Sequence, residues 1–228
     1  MGDPKLAMDR MQACICRWEE EGDERSVFLR CYAMMTANML AAIEAGEFHD
    51  RAWVRRLLTH FADYYFIALD AYDVGDEGVP AVWRQTHDAA RRAGTLALQN
   101  LLLGVNAHIN YDLVLATADL LEEEWPGLSS EARRQRRDDY NHVNEIIERT
   151  VDAVQDEILE RRQPMLQVVD TVFGPVDEWL IGRQITRWRN DVWAEAVRRV
   201  EMADAEEREH HRRSVETAVL RWTQRFGG

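Results

Sequence analysis

The sequence contains few of the residues that interrupt helices or cross-link chains. It has five prolines and three cysteines among 228 residues. Runs that alternate apolar and polar residues between turn signals, the pattern of half-buried strands, are missing. The cysteines, Cys14, Cys16 and Cys31, are an odd number, and a single Cys-x-Cys pair is a poor zinc signature. We therefore expect reduced thiols on two packed helices.

Positive charge is also scarce. The chain has 28 Lys and Arg against 41 Asp and Glu, which gives a net charge of -13. Such a balance disfavours binding to nucleic acid or to an anionic membrane surface. The opening residues lack an apolar segment of signal-peptide length, and no run approaches the about 20 apolar residues of a membrane span. We expect a soluble cytoplasmic protein with neither nucleic acid nor membrane as a partner.

Several common catalytic motifs are missing as well. The chain has no Gly-x-Ser-x-Gly elbow, no glycine-rich phosphate-binding loop, no dinucleotide fingerprint and no His-Glu-x-x-His pair. Serine hydrolases of the usual type, P-loop enzymes and dinucleotide-dependent dehydrogenases are therefore poorly supported.

What the sequence does contain is helical periodicity over nearly its whole length. Hydrophobic residues make up 46% of the chain, enough for a sizeable core. Gly46 is expected to end the second helix, Asp50 to cap the third and Pro80 to open the fourth. Breaks are expected at Pro164 and at Gly174-Pro175. The prediction is one all-α, bundle-like domain, residues 1–228, of about seven or eight helices.

The most apolar segment, LLLGVNAHINYDLVLA at 101–116, contains four polar residues that a buried helix must satisfy. On a helical wheel His108 and Asp112 are i,i+4 on one side. Asn106 and Asn110 are i,i+4 on roughly the opposite side, where they suit bridging to neighbouring backbone. A helix that is apolar all round is normally central in a bundle.

The His108–Asp112 pair has three interpretations. The two groups could satisfy each other and fix packing. The carboxylate could instead orient the imidazole as a general acid/base, or the pair could supply two metal ligands. Gly104, one turn earlier, removes a side chain where a ligand or another helix would approach closely.

Other helices offer further candidate groups. His60, Asp63 and Tyr64 share a face of the third helix. Convergence of His60 and Asp63 with His108 and Asp112 would build a site for zinc or another divalent metal. His142 lies beside its helix's apolar stripe and is expected to be exposed, whereas Asn144 lies closer to that stripe. Two more histidines, at 49 and 87, have polar neighbours and are expected at the surface.

The segment ITRWRNDVW, residues 185–193, is typical of an amphipathic helix with exposed ion pairs. Arg187 and Asp191 are i,i+4 in it. The alternative interpretation is an arginine that reaches a buried carboxylate or an anionic substrate.

The motif Asn-Ala-His-Ile-Asn-x-Asp-Leu, residues 106–113, resembles the signature of an uncharacterised family of bacterial helical proteins frequent in actinobacteria. The likeness extends to the segments 60–72, 139–146 and 188–196. The family is one of unknown function, so the resemblance implies no reaction.

These observations favour an enzyme that transforms a small molecule in a pocket within the bundle. His108 would be the general acid/base, Asp112 would orient it, Tyr64 or Tyr111 would assist as a donor, and Asn110 would hold a polar substrate group. Hydrolysis, elimination, isomerisation or cyclisation would need no redox cofactor. The alternatives are a metal-dependent hydrolase and a non-catalytic binding or interaction protein. The sequence is also compatible with a homo-oligomer.

Overall fold

The computed structural model describes residues 4–154 and 178–226, with side chains described for 4–150 and 183–224, and all regular structure in these ranges is helical. The helices are α1 (Pro4–Glu21), α2 (Arg25–Ala45), α3 (Arg51–Asp73), α4 (Ala81–Ala90), α5 (Ala97–Ala107), α6 (Leu113–Glu124), α7 (Ser130–Val154), α8 (Glu178–Val200) and α9 (Ala205–Phe226). A π-helical turn, His108–Asp112, joins α5 directly to α6. With α5, the π turn and α6 counted as one continuous helix, the described ranges contain eight helices, and the all-α prediction is confirmed.

Helix ends follow the local chemistry of the chain. Asp50 caps α3, since its carboxylate accepts a hydrogen bond from the backbone N–H of Trp53 at 2.9 Å. Gly46 ends α2 in the left-handed conformation, with φ of 82°, which glycine adopts without a steric penalty. Pro80 immediately precedes α4. The breaks predicted at Pro164 and at Gly174-Pro175 lie outside the described residues.

The start of α2 has no conventional side-chain cap. The residue at the cap position is Glu24, and it makes no side-chain cap hydrogen bond. Asp23 nevertheless accepts from the backbone N–H of Arg25 at 3.0 Å and from its guanidinium. Asp23 therefore accepts hydrogen bonds both from a backbone N–H in the first turn of the helix and from the side chain of a buried arginine.

The continuous helix from Ala97 to Glu124 lies centrally among the others. Its α5 part packs against α2, α4 and α9, its π turn against α3, α8 and α9, and its α6 part against α3 and α8. Helix α2 also packs against α1 and α7. This arrangement explains why residues 101–116 are apolar on all sides, and it places the His–Asp pair inside the bundle.

Helix α2 is longer and more apolar than the sequence analysis expected of any segment. By length and composition it could cross a membrane: an 18-residue window has a mean hydropathy of 1.3, contrary to the expectation that no segment approaches this. The signal is weak, because half of that window is buried inside the fold, as in the core helix of a soluble protein. Alanine and methionine raise the hydropathy without forming an unbroken apolar run.

One prediction of histidine exposure was wrong, and a second held only in part. His87 is 2% exposed, because its ring stacks on Trp83 and packs beside Tyr72. His142 is partly buried, and its Nε2 lies 3.0 Å from a carboxylate oxygen of Glu47. In both cases side chains from another part of the chain cover the ring, and such contacts are not visible from the neighbours in sequence.

The cysteines are free, as predicted. Cys14 lies on α1 and Cys31 on the adjacent α2, both partly buried, while Cys16 is exposed. Burial raises the pKa of Cys31 to about 12, which keeps this thiol protonated and unreactive.

Candidate functional site

His108 and Asp112 form a buried hydrogen-bonded pair across the π turn. Nδ1 of the imidazole lies 2.9 Å from Oδ2 of Asp112, and the two residues are 3% and 1% exposed. The indole Nε1–H of Trp83, from α4, donates to both carboxylate oxygens at 3.0 Å. The carboxylate is thus held from two helices, and it in turn fixes the orientation of the imidazole.

Five aromatic rings enclose the imidazole. The nearest is Phe61, which stacks on it with 3.6 Å between ring centroids and 9° between planes. The next is Tyr32, whose edge-on ring lies at 4.2 Å. The other three are farther out, at 5.7 to 6.1 Å: Phe28, Tyr65 and Trp83. Phe61 is partly exposed, whereas the other four are buried.

Gly104 allows this packing. A methyl group added there would lie 2.3 Å from Cγ of Phe28, which is closer than real side chains approach. The close approach expected from the sequence is therefore made by α2, through an aromatic ring.

Burial dominates the electrostatics of the pair. It lowers the pKa of His108 well below the ordinary value. It also raises the pKa of Asp112 well above the ordinary value, against the opposing effect of the hydrogen bond from Trp83. Both shifts favour the uncharged form of each group. Because the two groups share a hydrogen bond, gain or loss of a proton is a property of the pair and not of either residue alone.

One atom of the pair has no partner. Nε2 of His108 is buried and makes no hydrogen bond within the described structure. When Asp112 is protonated it donates to Nδ1, and Nε2 then carries the ring proton. When the pair loses one proton, Nδ1–H donates to the carboxylate and Nε2 presents a lone pair. The same atom can therefore act as an acid or as a base.

The asparagine pair serves the contact with α9. Nδ2 of Asn106 donates to the backbone carbonyl of Val219 at 3.3 Å and to the Thr223 hydroxyl at 3.1 Å. Asn110 donates to Oδ1 of Asn106 at 2.9 Å. Asn110 is thus engaged within its own helix, and the pair bridges to neighbouring backbone as its pattern suggested.

The two tyrosines proposed as assisting donors have other partners. The hydroxyl of Tyr64 donates to Asp119 at 2.6 Å. The hydroxyl of Tyr111 accepts from Nη1 of Arg212, on α9, at 2.8 Å. Neither ring is among the five that surround His108.

His60 belongs to a separate, partly exposed cluster. Its Nε2 lies 2.9 Å from Oδ2 of Asp119, on α6, while Asp63 is exposed. The hydrogen bond that His60 donates to Asp119 raises the pKa of His60. Burial alone would raise the pKa of Asp119, but hydrogen bonds from His60 and Tyr64 hold it below its usual value.

The four ligands of the metal-site alternative are therefore not brought together. His60 pairs with a carboxylate that the alternative did not include, and His108 pairs with Asp112 inside the bundle. Within the part of the chain that the structure describes, no three His, Cys, Asp or Glu side chains are grouped closely enough to hold a metal ion.

Sequence reasoning missed Trp83, Phe61 and Asp119. Each lies on a different element from the histidine that it contacts, and helical spacing reports only neighbours on the same helix. The only available signal was the excess of aromatic residues, with eight tryptophans in the chain.

A family model described as a family of unknown function, DUF5995, matches residues 5–226. The chain belongs to this family. No curated protein and no solved structure matches the chain significantly. The family assignment agrees with the resemblance seen in the sequence, and any inference about activity must come from the residues themselves.

Proposed function

We propose that this protein is an enzyme that transforms a small molecule with His108 as its general acid/base. The observation that carries the proposal is the buried imidazole whose Nδ1 is held by Asp112 and whose Nε2 has no hydrogen-bond partner among the described residues. The π-helical turn gives independent support, because π turns inside α-helices occur frequently at functional sites.

In this proposal Nε2 exchanges one proton with the substrate, while Asp112 and Trp83 act as positioning residues. A single proton shuttle serves hydrolysis, elimination, isomerisation or cyclisation. Burial favours an uncharged His108–Asp112 pair, and aromatic rings surround it. Both features suit an uncharged, largely apolar substrate. The net charge of -13 supports a protein with no nucleic-acid partner.

Access to the imidazole requires a side chain to move. Phe61 is the partly exposed ring among the five, so we infer that the substrate enters beside it. Rotation of this ring away from the imidazole face would open the site and would break its edge contact with one buried ring, Tyr32. The proposal thus assigns Phe61 to a gating role.

A second candidate is a non-catalytic helical binding or interaction protein, in which the pair only specifies packing. The observation that favours it is the close aromatic enclosure of the ring, with Phe61 stacked at 3.6 Å. The two candidates differ in what the loss of the imidazole should do.

The test is a screen of the purified protein against esters, lactones, amides and eliminable alcohols, followed by kinetics of the His108→Gln variant. We expect the substitution to lower kcat/KM by about 10²- to 10⁴-fold, the usual contribution of a general acid/base. Circular dichroism should show unchanged helix content.

The matched control is His142→Gln, which alters a partly buried histidine paired with Glu47 outside the site. It should leave kcat/KM unchanged. Phe61→Ala should speed the carbethoxylation of His108 by diethyl pyrocarbonate, with His60 as the internal reference. Equal kcat/KM in the native and His108→Gln proteins, or no turnover in the screen, would favour the packing role.

A further inference from the structure

Arg189, on α8, is a buried arginine that has no negatively charged partner among the described residues. It is 5% exposed. Its Nε donates to Oδ1 of Asn144 at 2.8 Å, and its Nη2 donates to the backbone carbonyl of Tyr140 at 2.6 Å. Its guanidinium lies 4.3 Å from the centroid of the Tyr140 ring. Among the described residues no carboxylate lies within ion-pair distance of it, and burial lowers its pKa.

Arg25 shows how the same chain treats its other buried arginine. It is 8% exposed, and it forms ion pairs with Asp23 and Asp73, both at 2.7 Å. Burial alone would lower the pKa of Arg25, but these two carboxylates raise it. A buried charge is normally paired in this way, because an arginine cannot lose its proton to escape the cost of burial.

A second guanidinium lies over the neighbouring aromatic ring. Arg137, on α7, is partly buried and lies 5.6 Å from the centroid of the Trp193 ring. The Trp193 ring packs against the Tyr140 ring, with 4.9 Å between their centroids, and the guanidinium of Arg189 lies over that same tyrosine, so the two cations flank one pair of rings. No ion pair of the described side chains includes Arg137.

We propose that Arg189, with Arg137, forms a binding site between α7 and α8 for the oxyanion group of a small molecule, a carboxylate or a phosphate. Two of the five guanidinium N–H groups of Arg189 hold it to α7, and the planar Nη1/Nη2 edge suits a two-oxygen acceptor. Asn144 and Tyr140 fix the guanidinium before an anion arrives. The site does not involve His108, so it stands or falls separately from the proposed acid/base role.

The test is thermal unfolding of the full chain in sodium phosphate, sodium succinate or sodium chloride at equal ionic strength. We expect phosphate or succinate, at about ten times its Kd, to raise the Tm of the native protein by roughly 3–6 °C above the chloride value. Arg189→Gln should abolish this difference. Stabilisation by succinate alone would assign the site to carboxylates, and stabilisation by phosphate alone would assign it to phosphates.

The control is Arg187→Gln, which removes an exposed arginine from the same helix and should keep the full shift. If Arg189→Gln does not fold, the Arg137→Gln and Arg189→Lys variants test the anion site in its place. Each should weaken binding at least tenfold in a titration, the latter because lysine keeps the charge but loses the planar fork. Equal shifts in the native protein and in the variants of Arg189 and Arg137, or no shift beyond chloride, would overturn the proposal.

Discussion

At the residue scale, the most consequential contact is the one from Trp83 to Asp112. The carboxylate is 1% exposed and receives the indole N–H from one helix and the imidazole from its own turn. A buried carboxylate that loses a donor pays the desolvation cost without compensation. The indole is therefore a positioning group for the pair as well as part of its aromatic surroundings.

We expect Trp83→Phe to reduce the free energy of unfolding by at least about 1–3 kcal/mol, from the lost hydrogen bond, with more from the smaller ring. The cost should be smaller in an Asp112→Asn background, because an amide offers the indole N–H one acceptor oxygen where the carboxyl group offers two. Chemical denaturation of the four proteins of this double-mutant cycle measures the difference. Equal costs in the two backgrounds would show that the indole does not support the carboxylate.

Hydrogen-bonded side-chain pairs on neighbouring turns of one helix could be predicted from the sequence. Pairs between side chains of different helices could not. His108 with Asp112, and Asn106 with Asn110, follow from i,i+4 spacing. His60 with Asp119 does not, because the partners are 59 positions apart on α3 and α6. His87 was misplaced for the same reason, since the rings that cover it include one from α3.

At the element scale, the continuous helix from Ala97 to Glu124 decides where the site lies. Hydrophobicity on all sides predicted its central position, and neighbours on every side confirm it. The π turn was not predictable, because the wheel assumed the α-helical increment throughout. Capping chemistry at Asp50 and Gly46 was predictable, since it depends only on residues adjacent in sequence.

The close contact of α5 with α2 at Gly104 gives a prediction for this element. Gly104→Ala should reduce the free energy of unfolding by about 1–3 kcal/mol, because the Phe28 ring must move to admit a methyl group. Urea denaturation followed by circular dichroism measures the change.

The matched substitution is Gly127→Ala, where an added methyl group meets no atom within 4 Å. It should change stability little. A stable Gly104→Ala protein, with the same denaturation midpoint as Gly127→Ala, would mean that α2 and α5 separate more easily than their packing indicates.

At the scale of the whole molecule, stability should depend on pH through its buried neutral histidines. Burial lowers the pKa of His87 to about 3, from 6.5 in an exposed setting. Between these values the unfolded chain binds a proton that the folded chain does not. Stability is then complete above pH 6.5 and is lost as the pH falls toward 3. His108 acts in the same direction, and Asp112, with its raised pKa, acts in the opposite direction.

We therefore expect His87→Phe to flatten the acid limb of the stability curve. Below about pH 6 the free energy of unfolding of the native protein should fall faster than that of the variant, by up to about 1.4 kcal/mol per pH unit. Denaturation at pH 7.5, 6 and 5 gives both slopes. Parallel curves would show that the folded protein can protonate this ring.

The indole of Trp83 also offers a direct view of the buried pair. Its N–H points at the carboxylate from a different helix, so its nuclear magnetic resonance frequency depends on the charge of Asp112 and on the length of that bond. A change of protonation, or a guest beside the imidazole, would move this one signal. The molecule thus contains its own spectroscopic reporter, readable before any substrate is known.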